Sequence, residues 1–179
     1  MPRAMPAVAL VPHPATPSAA VQSLLVEVRR TPRGLSLRYV LTAELERLRI
    51  APPRPAARVD GLWRHTCFEL FLAREDPAYR EFNFSPSGEW AAYAFAAYRA
   101  SGSPLDCAPP AIQCRRAQEA LVLEAHVAGL PEGPLRLGLS AVVEDAAGSL
   151  TYWALRHPAA KPDFHDRTSF TLALDEARD

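Results

Sequence analysis

Two stretches of the chain concentrate side chains that could bind or transform a ligand. LWRHTCFELFLA at 62–73 carries Trp63, Arg64, His65 and Glu69. YWALRHPAAKPDFH at 152–165 carries Tyr152, Trp153, His157, Lys161, Asp163 and His165. Indole rings stack on apolar faces, carboxylates and guanidinium groups read hydroxyls in pairs, and His with carboxylate is an ordinary metal-ligand set. The chemistry on offer is therefore binding of a small polar ligand, metal or haem ligation, or acid–base catalysis.

Catalysis has the least support. His65 and Cys67 stand two apart on one extended run, so they share a face and point in parallel rather than at each other. No GxSxG, HExxH, P-loop or dinucleotide fingerprint occurs. A glycosidase-like site built on Glu69 needs a second carboxylate, and nothing in the sequence marks one. The reading leans away from an enzyme and leaves the question open. For metal, the spacing of His157, Asp163 and His165 matches no standard motif, and Pro158 and Pro162 suggest a rigid loop in which Asp163 caps its own turn. Metal ligands therefore stay unassigned, with calcium support of the loops left open. Glu69, amid CFELF, needs a partner if buried; an ion pair with Arg64 or Arg99 competes with a ligand contact. Trp63 and Trp153 read equally as site or core residues, whereas Trp90, directly after a turn, should pack beneath it.

The elements that must position these groups are short. Eighteen prolines in 179 residues cluster at 2–17, 52–55, 104–110, 131–134 and 158–162, between apolar runs. Proline is costly inside helices and central strands, so the runs read as strands and the clusters as loops. Candidate strands lie at 7–11, 22–30, 35–42, 66–73, 79–85, 89–99, 111–118, 120–130, 135–145, 149–156 and 168–174. SPSGE at 85–89 and EDAAGS at 144–149 place Gly88 and Gly148 where hairpins need positive φ, and RRTPRG at 29–34 reads as a third turn. LTAELERLRI, with leucines at helical spacing, competes as a short helix. The expected fold is all-β: an antiparallel β-sandwich of about ten strands with Pro-rich loops, one domain over 1–179, its arm at 1–15 poorly ordered at the start.

Alternation then sorts the faces. Phe68, Leu70 and Leu72 turn inward, against Trp63, His65, Cys67, Glu69 and Phe71. Phe82 and Phe84 turn inward, leaving Glu81 and Asn83 opposite. Thr151 and Trp153 lie together, opposite Tyr152 and Ala154. Gly138, Ser140 and the alanines at 92, 94 and 96 should leave a depression on a second, mixed-polarity face suited to a small polar ligand.

Charge excludes other classes. Twenty basic and twenty acidic side chains balance, so no field draws nucleic acid or an anionic membrane. The early apolar patch AVALV is cut by Pro12 and Pro14, too short for a secretory signal or a span. Three cysteines, Cys67, Cys107 and Cys114, without CxxC spacing, read as free thiols in a cytoplasmic protein.

LWRHTCFELFLA, YREFNFSPSGEWAAYAF and YWALRHPAAKPDFH together resemble the DOMON-like superfamily of ligand-binding β-sandwiches. The resemblance covers about residues 58–170 and points to its bacterial members of unassigned function, which are similar to the type-nine carbohydrate-binding module. It implies a sugar held between two tryptophan rings, here Trp63 and Trp153, with Glu69 where an acidic sugar ligand stands. Haem-binding relatives clamp iron with Met and His; Met1 and Met5 are this chain's only methionines, leaving bis-His ligation from His65, His126, His157 or His165 as the haem alternative. The expected function is non-catalytic binding of a carbohydrate or sugar derivative by Trp63, Arg64, His65, Glu69, Asn83, Trp153, His157, Lys161, Asp163 and His165. The alternatives are a protein-interaction or assembly module, which would admit a homo-oligomer, and a haem-binding domain.

Overall fold

The computed structural model describes residues 7–174. Within them the chain is nearly all β, in twelve strands: β1 (Val8–Pro12), β2 (Val21–Thr31), β3 (Gly34–Ala43), β4 (Cys67–Ala73), β5 (Tyr79–Phe84), β6 (Trp90–Phe95), β7 (Ser103–Pro104), β8 (Ala111–Ala117), β9 (Ala120–Ala128), β10 (Leu135–Glu144), β11 (Leu150–Ala154) and β12 (Leu172–Leu174). The alternation visible in the sequence makes them. Leu35, Leu37, Tyr39 and Leu41 of β3 are buried, as are Leu121, Leu123, Ala125 and Val127 of β9 and Leu135, Leu137, Leu139, Ala141 and Val143 of β10.

The strands hydrogen-bond in the order β7-β6-β5-β4-β10-β11-β1-β2-β3-β9-β8, and β12 pairs the start of β10. This antiparallel path curls into a half-barrel that brings β3 onto β4. The Tyr39 and Phe68 rings meet at 5.1 Å, and the buried Tyr39 hydroxyl donates to the Glu69 carbonyl at 2.9 Å. One apolar core fills the inside of the curl. At ~1.5–3 kcal/mol for each large apolar side chain buried, it dominates the stability of the fold.

The turn residues do what their chemistry requires. Gly88 (φ 90°) and Gly148 (φ 89°) sit in the left-handed region, closing turns in which Ser85 N bonds Glu89 O and Asp145 N bonds Ser149 O. Trp90 is buried beneath the first of these turns, with the Arg58 guanidinium over its ring at 4.4 Å.

Residues 8–12 of the arm form β1, which joins the two arms of the sheet by pairing β2 through Val8–Leu10 and β11 through Val11–Pro12; the start of the arm, where poor order was expected, lies outside the described residues. Two expectations are corrected. LTAELERLRI forms the end of β3 and a single 3-10 turn, Leu45–Arg47, because Leu45 and Leu48 both turn into the core. The last run, 168–174, is shortened to β12 by a 3-10 turn, Arg167–Ser169, in which the Asp166 carboxylate accepts from Thr168 N. Among the described residues, no helix is long and apolar enough to cross a membrane.

Candidate functional site

The face of the sheet turned away from the core carries the chemistry. Glu69 on β4 stands between Asn83 on β5 and Ser140 on β10, while Glu81 on β5 stands between Phe71 and Tyr93. Tyr79 and Phe95 continue the row, stacked with ring centroids 4.8 Å apart. Ala91, paired with Asn83, is the small residue that β6 places on this face. Ala92 pairs with Phe82 and belongs to the core, so the depression expected from the alanines at 92, 94 and 96 arises one residue out of phase.

A second layer covers part of this face. The chain after β11 crosses it, packing Phe164 and Phe170 against Phe71, Tyr79 and Phe95. Gly138 makes the crossing close: a Cβ there would meet the Phe170 ring at 2.4 Å. The crossing segment is pinned at both ends. Arg167 donates to the carbonyls of Arg74, Asp76 and Ala78 in the β4–β5 turn. His13 Nε2 bonds Ala159 O at 3.0 Å, and His157 Nε2 bonds Val11 O at 2.8 Å.

Between the sheet and this wall lies a cavity of about 450 Å³. Its sides are aromatic, from Trp63, Tyr93, Phe95, Tyr152 and Phe164, and its polar groups are Glu69, Glu81, Arg99 and His165. Trp63, on a 3-10 turn (Leu62–Arg64), stands edge-on to Tyr93 at 6.1 Å and remains 42% exposed. Tyr93 donates its hydroxyl to Asp60 at 2.7 Å.

The two carboxyls are deep, 2% exposed at Glu69 and 6% at Glu81. Ser140 donates to Glu69 Oε2 at 3.1 Å. The Asn83 amide, oriented to satisfy both its ends, donates to Glu81 Oε1 at 3.0 Å. Burial pushes the Glu69 carboxyl well above the usual carboxylate range, with the neighbouring Glu81 adding to the shift. Burial likewise carries Glu81 to about 7, against the opposing bond from Asn83 and the charge of Arg99. Cys67, on the same face, is raised by burial and by both acids. Protons are favoured here because an ionised carboxylate loses its hydration in such a site.

His165 is enclosed by the rings of Phe71, Tyr79 and Phe95. Desolvation, with the nearby charge of Arg99, lowers it to about 4, so its ring is neutral. Tyr79 Oη accepts from Arg99 N at 3.1 Å and lies 2.7 Å from His165 Nδ1. The hydroxyl proton is then free to go to Nδ1, which leaves the proton of the neutral ring on Nε2, 3.6 Å from Glu81 Oε2. Arg99, in a turn at φ 50°, is held by Asp163 at 2.8 Å. Asp163 also accepts from the Tyr98 hydroxyl and from His165 N. Burial opposes its ionisation, but the bonds from Tyr98 and Arg99 prevail and hold it below the usual range.

The residues singled out by sequence thus separate into groups. Trp63, Glu69 and His165 line the cavity; Asn83 lies in the floor, and Asp163 stands behind Arg99. Trp153 does not join Trp63. It points into the core, 4% exposed, with its indole N–H donated to Thr151 at 3.0 Å. The opposite face of β11 presents Tyr152 instead, edge-on to Phe164. His65 turns to Glu144, at 2.7 Å, as part of an ion cluster with Arg49. Arg64 and Lys161 are exposed, and neither they nor His157 line the cavity. The histidines offered for bis-His ligation are engaged separately: His65 by Glu144, His126 by Ser36, His157 by Val11 and His165 by Tyr79. Among the described residues, no three His, Cys, Asp or Glu side chains are grouped to hold a metal. The expected site set leaves out Glu81, Tyr93, Phe95, Arg99, Tyr152 and Phe164, although alternation already puts Glu81 on the face of Asn83, Tyr152 stands in the second chemistry-bearing stretch, and Arg99 is offered as an ion-pair partner of Glu69.

No family model and no curated protein matches the chain. Solved structures share its fold. A candidate carbohydrate-binding protein from Bacteroides uniformis ATCC 8492 is similar with a TM-score of 0.72 at 13% identity, over 96% of this chain and 86% of its own. A family 9 carbohydrate-binding module from Caldicellulosiruptor kristjanssonii, in complex with glucose, gives a TM-score of 0.53 at 11% identity, over 92% of this chain and 81% of its own. At these identities the likeness is one of fold.

Proposed function

We propose that the chain is a DOMON-like, sandwich-type module that binds a carbohydrate or sugar derivative without transforming it, in the cavity between the sheet and its covering segment. The observation that carries this reading is the cavity's construction. Aromatic walls from Trp63, Tyr93, Tyr152 and Phe164 enclose a floor whose polar groups are the two glutamates, with Arg99 and His165 beside them. Sugars present C–H faces to rings and hydroxyls to polar groups, and a cavity of this size and mixed lining suits one or two sugar units. The carbohydrate-binding descriptions of two proteins of similar fold, one of them holding glucose, support the same reading.

Trp63 supplies the test, because it is the one tryptophan that lines the cavity; Trp90 and Trp153 are buried in the core. Titration with a panel of mono- and disaccharides should give a saturable fluorescence change. Trp63→Ala should abolish that signal and weaken binding measured by calorimetry about tenfold, which is ~1.4 kcal/mol. A flat calorimetric and fluorescence response across the panel would sink the proposal.

A further inference from the structure

We infer that the group recognised at the floor of the cavity is a cationic amine, so that the ligand class is an amino sugar held by Glu69 and Glu81. This rests on the carbohydrate reading above.

Among the described residues, the cavity lining holds two acids and, beside the neutral His165, one cation, Arg99, whose bonds run to other groups. A carboxylate withdrawn from water is tolerated when a cation or several donors meet it. Glu69 receives Ser140, Glu81 receives Asn83, and His165 Nε2 stands at 3.6 Å, outside hydrogen-bond range. Arg99 is the one guanidinium on the lining, and Asp163 and the Tyr98 hydroxyl hold its Nη2 and Nε. The other titratable groups near the floor are Cys67 on β4, Tyr79 on β5, Tyr93 with Asp60, and Tyr152 on β11. None supplies positive charge.

The walls favour the same sign. Trp63, Tyr93, Phe95 and Tyr152 present ring systems whose faces are electron-rich, and such rings attract ammonium groups. A neutral hydroxyl gains from neither feature to the same degree. With the cavity free of cation, the pair keeps protons that carboxyls elsewhere release near 4.5, and Glu81 loses its own only at about 7. An entering ammonium takes the place of that proton, which leaves to solvent as Glu81 ionises. Binding should therefore release protons below neutral pH and tighten as pH rises.

The test is calorimetry of the full chain with glucosamine, glucose, N-acetylglucosamine and cyclohexylamine. Titrations over about pH 5.5–7 are run in two buffers of different ionisation enthalpy, a range in which the free amines are charged. Glucosamine should bind at least about tenfold tighter than glucose or N-acetylglucosamine, with affinity rising up to about tenfold per pH unit and up to one proton released. Glu81→Gln should erase both the preference and the proton release, and Glu69→Gln should weaken the preference independently. Equal binding of glucosamine and glucose without proton release overturns the amine inference and leaves the carbohydrate reading standing. Cyclohexylamine binding as well as glucosamine, with glucose silent, supports the amine and overturns the carbohydrate reading. Silence from all four overturns both.

Discussion

Among the described residues, two places bury glutamates, and they are built on opposite plans. Glu144, 5% exposed at the end of β10, receives Arg49 at 3.1 Å and meets His65 at 2.7 Å, while its own backbone N–H donates to the Thr66 hydroxyl at 3.0 Å. Every nearby group completes it, and it ties the loop before β4 to the sheet. Glu69 and Glu81 lie as deep, yet sit on adjacent strands at the floor of a cavity with one neutral donor apiece. The first arrangement is what a fold does with an acid it needs for architecture. The second is costly to the fold, and a cost left in place at the floor of a cavity is what a binding site accepts.

The sharpest way to break this contrast is to neutralise one acid in each place. Between pH 4.5 and about 7 the unfolded chain has released the Glu81 proton while the folded chain holds it. The folded state therefore binds more protons, and stability falls as pH rises through that window. Glu81→Gln keeps the shape and removes the penalty. At about pH 8 its unfolding free energy from urea denaturation should exceed the parent's by about 3 kcal/mol. Glu144→Gln should move the other way, losing about 1–2 kcal/mol, a figure held down by the solvent screening of its exposed partners Arg49 and His65. Losses of similar size in both variants would make Glu81 a structural acid like Glu144 and erase the distinction.

How much of this was legible in the sequence depends on what alternation can say. It placed Glu69 and Asn83 on one face and Phe68, Leu70 and Leu72 on the other, and it put Glu81 with Asn83. It could not supply the cross-strand register that sets Glu81 beside Tyr93 and Phe71. On β11 it separated Trp153 from Tyr152 correctly but could not tell which of the two was inside. Both aromatic faces there are credible until the partner strand is known, and Thr151 satisfies the indole N–H within the core. Trp63 and His65 were read as a continuation of β4, whereas the chain makes a 3-10 turn at Leu62–Arg64 and alternation does not extend through it. Arg99 came into place through a turn at positive φ, a feature that local propensity does not announce in an Arg.

A second test uses His165, whose Nε2 stands 3.6 Å from Glu81 Oε2. Its ring is lowered to about 4, so the unfolded chain binds the extra proton between 4 and 6.5 and stability is lost as pH falls through that window. With a discount for partial solvent screening this amounts to about 2 kcal/mol. Over pH 4.5–6.5 it runs against the Glu81 term, and the two largely cancel in the parent. His165→Gln should expose the Glu81 slope, with stability falling as pH rises. Glu81→Gln should expose the His165 slope, with stability falling as pH drops. Urea midpoints measured across pH should therefore diverge in opposite directions from the parent's profile, and parallel profiles would show that neither group titrates with a shifted midpoint in this window.

The smallest effect probes why Arg99 does not pair directly with the acids. Asp163 holds Arg99 Nη2 at 2.8 Å and so keeps the guanidinium from turning fully to Glu81. Asp163→Asn removes the charge while preserving an acceptor for His165 N. Arg99 should then spend more of its time near the floor, and its positive charge should favour the ionised form of Glu81. The Glu81 midpoint, followed by carbon NMR of its carboxyl, should fall below about 7, by less than about one unit given the exposure of the turn. The preference for a charged amine over a neutral sugar should shrink with it, since the site would then carry its own cation. A midpoint that stays in place would mean that the distance of Arg99 from the floor is fixed by its turn at positive φ rather than by Asp163, and the difference between the two buried acid sites would then originate in backbone geometry instead of charge.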